Sequence, residues 1–161
     1  MTVPLHEMPP MKILDFIPYL SIKDCHEALP FYTNVFGVEP VHLMTMPDGR
    51  VMHCEYSVDG AKIYLSEELP EHGGTPSPKT LGASSVAIHL YVDDCDAMVA
   101  LMKEHGAKIL TEPEDQFWGE RFARARDPFG HEWGISQKIR EMTPQEIQAE
   151  AAKLFASMPS E

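Results

Sequence analysis

The sequence predicts an α+β fold built from two tandem β-α-β-β-β modules and a C-terminal helix. Three observations carry this. First, a constant shift of 70 residues lays the chain on itself at two separated points. Ile17–Cys25 (IPYLSIKDC) falls on Ala87–Cys95 (AIHLYVDDC), and Gly60–Glu67 (GAKIYLSE) falls on Gly130–Gln137 (GHEWGISQ). Second, both copies place an aspartate, Asp24 or Asp94, between a β-capable run and an apolar helical run, where it suits a helix N-cap. Third, Asp127-Pro128-Phe129-Gly130 is a turn between two β-capable runs, because Pro presets φ and Gly accepts positive φ.

The elements follow in order. The first strand spans Ile13–Ile22, and a helix runs from Cys25 to about Asn34 with Ala28, Leu29, Phe31, Tyr32 and Val35 on its buried side. Pro30 lies inside that helix and predicts an irregular or kinked turn. Gly37 ends it. Strands at Val41–Met46, Val51–Val58 and Lys62–Glu67 are joined by the turns Pro47-Asp48-Gly49 and Asp59-Gly60. The first module therefore covers residues 12–68. Residues 69–84 (LPEHGGTPSPKTLGAS) are a Gly/Pro/Ser-rich linker long enough to fold over a site as a lid.

The second module covers residues 85–138. It opens with a strand at Val86–Val92, then a helix from Asp94 with Met98, Leu101 and Met102 on one face, stopped by Gly106. Lys108–Leu110 is a strand, followed by an acidic loop at Glu112–Asp115, and strands at Arg121–Arg126 and His131–Gln137 flank the DPFG turn. In the terminal helix, residues 143–157, Thr143-Pro144-Gln145-Glu146 is a capping box with Pro at N1. Its apolar face, Ile147, Ala151, Leu154 and Phe155, is expected to dock on its own domain or on a second subunit.

Composition excludes several functions. At 161 residues, 43% hydrophobic, the chain suits one compact domain or two small modules sharing a core. The formal net charge of -12 argues against nucleic acid or an anionic membrane as partner, since both need a cationic face. No apolar run approaches the ~20 residues that cross a bilayer. The N-terminal MTVPLHEMPPMKIL run lacks the apolar core expected of a secretory leader. Cys25, Cys54 and Cys95 are an odd number without CxxC spacing, which fits a reduced, cytoplasmic setting. The sequence contains no triad-type nucleophile–base pair and no phosphate-binding loop; Gly73-Gly74 lacks the following Lys-Ser/Thr.

The tandem modules, the phrase YLSIKD…LPFYTNVFG and the DPFGHEW ending resemble the vicinal oxygen chelate superfamily of glyoxalases, bleomycin-resistance proteins and dioxygenases. The resemblance covers roughly residues 12–138, and the FWGERFARARDPFGHEW stretch is similar to the PhnB-like, glyoxalase-related subgroup. It implies a half-open barrel with the active site on its concave side, and commonly a homodimer. It also implies a divalent metal held by His, Gln or Glu on the first and last strands of each module. Carried onto this chain, those positions are Ile17, Tyr64, Ala87 and Gly134, none of which suits a divalent ion.

Strand alternation points Ile17, Tyr19, Ser21, Tyr64, Ser66, Ala87, His89, Tyr91, Gly134 and Ser136 into the cleft, which is expected to be aromatic, small and polar-tipped without many carboxylates. Gly134 leaves room for a group above it. Trp118, Glu120 and Arg121 sit at the mouth, where Trp118 can stack on a planar ligand and Arg121 can clamp a carboxylate or phosphate. His53 and Glu55 share a strand face and read as an ordinary solvated surface, as do His6, His26, His72 and His105 elsewhere.

The expected ligand-binding set is Tyr19, Tyr64, His89, Tyr91, Trp118, Arg121 and Gly134, with no metal or cofactor and no catalytic residue assigned. The partner is expected to be an apolar or aromatic small molecule. The competing expectation is a metal-dependent lyase, isomerase or dioxygenase with displaced ligands such as His89 with a glutamate; proton abstraction next to a carbonyl would also need a base, and Glu67 is the only carboxylate near the ligand strands.

Overall fold

The computed structural model describes residues 11–158. The expectation of no secretory leader concerns residues 1–14, of which residues 1–10 lie outside the described residues, as does His6.

The first module comprises β1 (Tyr19–Ile22), α1 (Cys25–Phe36), β2 (His42–Thr45), β3 (Val51–Val58) and β4 (Ala61–Glu67). A linker holding a 3-10 turn (Pro70–His72) and the one-turn α2 (Pro78–Leu81) leads to the second module. That module comprises β5 (Ala87–Tyr91), α3 (Cys95–Glu104), β6 (Lys108–Asp115), β7 (Glu120–Arg126) and β8 (Glu132–Lys138), and α4 (Pro144–Ala156) follows it. The sheets have orders β1-β4-β3-β2 and β5-β8-β7-β6. In each, the first strand runs parallel to the last and the other pairs are antiparallel, so the repeat seen in sequence is a repeat of topology.

Each helix buries one face on its sheet. Cys25, Ala28, Phe31, Tyr32 and Val35 of α1 pack with Leu20, Ile22, Cys54, Tyr56 and Leu65; Cys95, Val99 and Met102 of α3 pack with Ala123, Ala125, Trp133 and Ile135. The two cores meet around the DPFG turn. Asp127, 4% exposed, accepts from the Tyr32 hydroxyl (2.6 Å) and the Trp133 indole N–H (2.9 Å) through Oδ2, and from the backbone N–H groups of Phe129 (2.9 Å) and His131 (3.0 Å) through Oδ1. Four donors offset the desolvation of this buried carboxylate.

Several expectations are corrected. The first strand begins at Tyr19, not Ile13: Pro18 has no N–H to give to a ladder, and Ile13, Leu14 and Phe16 are exposed. Asp24 does not cap α1 with its side chain. It adopts a left-handed conformation (φ 59°), and Glu67 at the end of β4 accepts from the N–H groups of Asp24 and Cys25, both at 2.9 Å. The second module keeps the same device one repeat later: Gln137 accepts from Cys95 N–H at 3.0 Å, while Asp94 caps Ala97 N–H as expected. Helix α1 passes unbroken through Pro30, which lies on the exposed side where water can take the carbonyl it leaves unpaired.

Glu112–Asp115 is not a loop but the continuation of β6, an edge strand where carboxylates and Pro113 cost no ladder bonds and discourage edge-to-edge pairing. Helix α4 has the full capping box and no buried residue. Among the described residues, no helix is long and apolar enough to cross a membrane.

Candidate functional site

Strand register defines the face of each sheet that points away from its helix. In the first sheet, Tyr19, Tyr64, Glu55 and His42 stand side by side across all four strands, with Met44 beside His53 in the adjacent row. The Tyr19 hydroxyl lies 2.6 Å from His53 Nδ1, and His53 Nε2 lies 2.8 Å from Glu55 Oε1. An ionised Glu55 only accepts, so Nε2 carries the hydrogen, and in the neutral ring Nδ1 accepts from Tyr19. Tyr64 meets Tyr19 edge-on (5.7 Å, 88°) and His53 at 75° (5.0 Å), forming an aromatic corner. Partial burial pushes the Tyr19 phenol above its ordinary value of 10, against a hydrogen bond to Ser66, so the hydroxyl keeps its proton at neutral pH.

In the second sheet the open face carries His89, Gly134 and Arg124 in one row and Tyr91, Ser136, Phe122 and Glu114 in the next. Glu120 Oε2 accepts from Trp118 Nε1 (3.0 Å) and Ser136 Oγ (2.9 Å). Since the single Ser136 proton goes to Glu120, His89 Nε2, 3.0 Å away, donates to Ser136 Oγ. Burial works to raise Glu120, but Ser136, Trp118 and Tyr91 outweigh it and hold the carboxyl below its ordinary range; the same contact pushes the Tyr91 phenol up. The His89 ring stacks on Phe122 (6.0 Å, 9°) and lies directly over Gly134, while Phe122 meets Trp118 edge-on at 5.9 Å. The space above Gly134 is thus filled by His89. Glu132 pairs with Arg124 (2.8 Å) and Arg126 (2.6 Å) on the same face.

A cavity of about 370 Å³ opens where the modules meet, lined by Tyr19, Ser21, Pro78, Val86, Ile88 and His131 among others. The linker forms one wall. It is pinned by Glu68, which accepts from Ser77 N–H (2.7 Å) and Thr80 Oγ1 (2.6 Å), by the Ser21 hydroxyl on the Thr75 carbonyl, and by Lys79 over the Phe129 ring. His131 Nε2 lies 3.1 Å from the Ser21 carbonyl, and burial lowers its pKa against the pull of Asp127.

Of the residues singled out in the sequence, Tyr19 and Tyr64 come together on one open face, and His89, Tyr91, Trp118 and Gly134 on the other. Arg121 does not join them. Its strand parity is that of the buried Ala123 and Ala125, so it points toward α3, where Nη2 pairs with Asp96 (2.9 Å) and Nη1 with Asp115 (2.9 Å). With its nitrogens engaged, Arg121 is a brace rather than an anion clamp at the mouth. Glu67 likewise caps a helix. The cleft faces also carry more charge than expected, because β3 and β7 contribute Glu55, Glu120 and Arg124 and β8 contributes Glu132. His53 and Glu55 are half-buried partners of Tyr19, not a solvated surface; the signal was their parity opposite buried Cys54 and Tyr56.

The metal that the fold implies does not fit the residues present. Tyr64 offers a phenol already set against two rings, Ala87 a methyl group, and Gly134 no side chain beneath an imidazole. Among the described residues, no three His, Cys, Asp or Glu side chains gather as a metal-binding group.

A family model for the Glyoxalase/Bleomycin resistance protein/Dioxygenase superfamily matches residues 13–135, and the chain belongs to that superfamily. It is 37% identical over 134 residues to an uncharacterized protein of Mycobacterium tuberculosis, covering 82% of this chain and 79% of that protein. Among solved structures it is similar to protein PA1353 from Pseudomonas aeruginosa (TM-score 0.64, 22% identity, 78% of this chain and 98% of that one). It is also similar to TnmS3, an antibiotic binding protein from Streptomyces sp. CB03234 (TM-score 0.60, 25% identity, 80% and 99%).

Proposed function

We propose that this chain is a small-molecule-binding member of the superfamily, PhnB-like in its second module, that holds an apolar or aromatic ligand on its aromatic open faces without a metal. What supports this is the residue set Ile17, Tyr64, Ala87 and Gly134 at the four positions that the resemblance gives to metal ligands, beside rings held in place by hydrogen-bond chains ending in Glu55 and Glu120. A preorganised aromatic wall suits a planar ligand, since little side-chain entropy remains to be lost on binding. The antibiotic-binding neighbour supports the ligand class.

The exposed Ile13, Leu14 and Phe16 before β1, and Leu154 and Phe155 on α4, support a homodimer that covers them. Three free, buried thiols support a cytoplasmic address. The competing reading, a lyase, isomerase or dioxygenase with displaced metal ligands, requires His89 to give up Ser136.

The test is a thermal-shift screen of aromatic and antibiotic-like compounds, followed by calorimetry on the hits. Saturable binding that Tyr64→Ala and His89→Ala weaken supports the proposal. A screen in which no compound stabilises the protein rejects it.

A further inference from the structure

We propose that the Tyr19–His53–Glu55 chain is a proton relay that ionises a phenolic ligand bound on the open face of the first module. The inference rests on the aromatic-ligand reading above and names the ligand's reactive group. In this chain Tyr19 gives its own hydrogen to His53 Nδ1, and His53 gives its Nε2 hydrogen to Glu55. The Tyr19 Oη lone pair left beside the Ser66 contact is an acceptor, and Tyr19 is 52% exposed, so the group presented to a ligand asks for a donor such as an acidic hydroxyl.

A ligand O–H that donates to Tyr19 transfers its proton there while the Tyr19 proton moves to Nδ1. One ligand O–H bond breaks, one Tyr19 O–H bond forms, and one N–H bond forms on His53. A neutral phenol and a neutral imidazole become a phenolate and an imidazolium, and Glu55 stabilises the imidazolium. No oxidant or further reactant is involved. The groups facing Tyr19 are His42 from β2, His53 and Glu55 from β3 and Tyr64 from β4, with the Cys25 and Cys54 thiols behind the sheet. Tyr64 meets both Tyr19 and His53 edge-on, so the three rings form one aromatic wall beside the Tyr19 hydroxyl.

The experiment uses para-nitrophenol, whose phenolate absorbs visible light, titrated with pH on the full chain. The wild-type protein binds it and raises its ionisation constant about tenfold or more, the effect of an imidazolium held within ~5 Å. Tyr19→Phe keeps the ring and removes the relay; it and His53→Gln bind the probe with the ionisation constant found in buffer. Glu55→Gln keeps an acceptor for Nε2–H but not the charge, and gives an intermediate shift. Bound nitrophenol that ionises as in buffer, or a shift that survives in Tyr19→Phe, overturns the relay while leaving the binding reading intact. No binding of nitrophenol overturns the relay, and only failure of the whole aromatic screen overturns the binding reading.

Discussion

Gly134 lies beneath the imidazole of His89 so closely that a Cβ at residue 134 would stand 2.7 Å from Nδ1. The position that the resemblance assigns to a metal ligand is here the floor on which a histidine rests. Gly134→Ala must lift the ring, break its bond to Ser136 and disturb the stack on Phe122. The expected cost is about 1–3 kcal/mol of overpacking. Chemical denaturation measures that loss, and the ring current of Phe122 on His89, read by NMR, reports the displacement.

The buried carboxylate of Asp127 ties α1 of the first module to β8 of the second through Tyr32 and Trp133. Tyr32→Phe removes one donor to a charged, buried acceptor and is expected to cost about 1.5–3 kcal/mol. Asp127→Ala leaves four donors without a partner and is expected to cost more. Thermal unfolding of the two variants checks the order. Equal stability of both with wild type contradicts the tie.

Glu67 caps α1 from the end of β4, and Gln137 caps α3 from the end of β8. Glu67→Ala is expected to destabilise by about 0.5–2 kcal/mol. It should not abolish ligand binding, because Glu67 does not lie in the aromatic corner; calorimetry with any ligand found in the screen separates the two effects.

His131 gives a pH signature. Burial lowers its folded pKa below the ordinary 6.5, so the unfolded chain takes up the proton first as pH falls. Stability is therefore undiminished above about 6.5 and declines as pH drops toward the folded value, beyond which the loss levels off. His131→Gln should flatten the pH dependence of Tm in this window, above the range where carboxylates protonate.

Much of the fold was legible because its signals are local. The repeat, the DPFG turn, the Thr143–Glu146 capping box and the alternation along β5 each follow from residues adjacent in sequence. What was not legible depends on neighbours across the sheet. Asp24 looks like a cap, but the donor–acceptor match is made by Glu67, far along the chain. Glu112–Asp115 looks like a loop until its place at a sheet edge is known. Arg121 and Trp118 are close in sequence, yet parity on β7 sends one toward α3 and the turn before it leaves the other beside Phe122. The partnership of Tyr19 with His53 required the register of β1, β4 and β3, which alternation within a single strand does not provide.

The central claim is an aromatic ligand site that works without a metal. The most direct measurement is elemental mass spectrometry of protein purified without chelator, paired with calorimetry of a screened aromatic ligand before and after chelation. The account predicts no stoichiometric divalent metal and identical affinity in both titrations. A tightly held stoichiometric metal, or binding that chelation removes and a divalent ion restores, would contradict it.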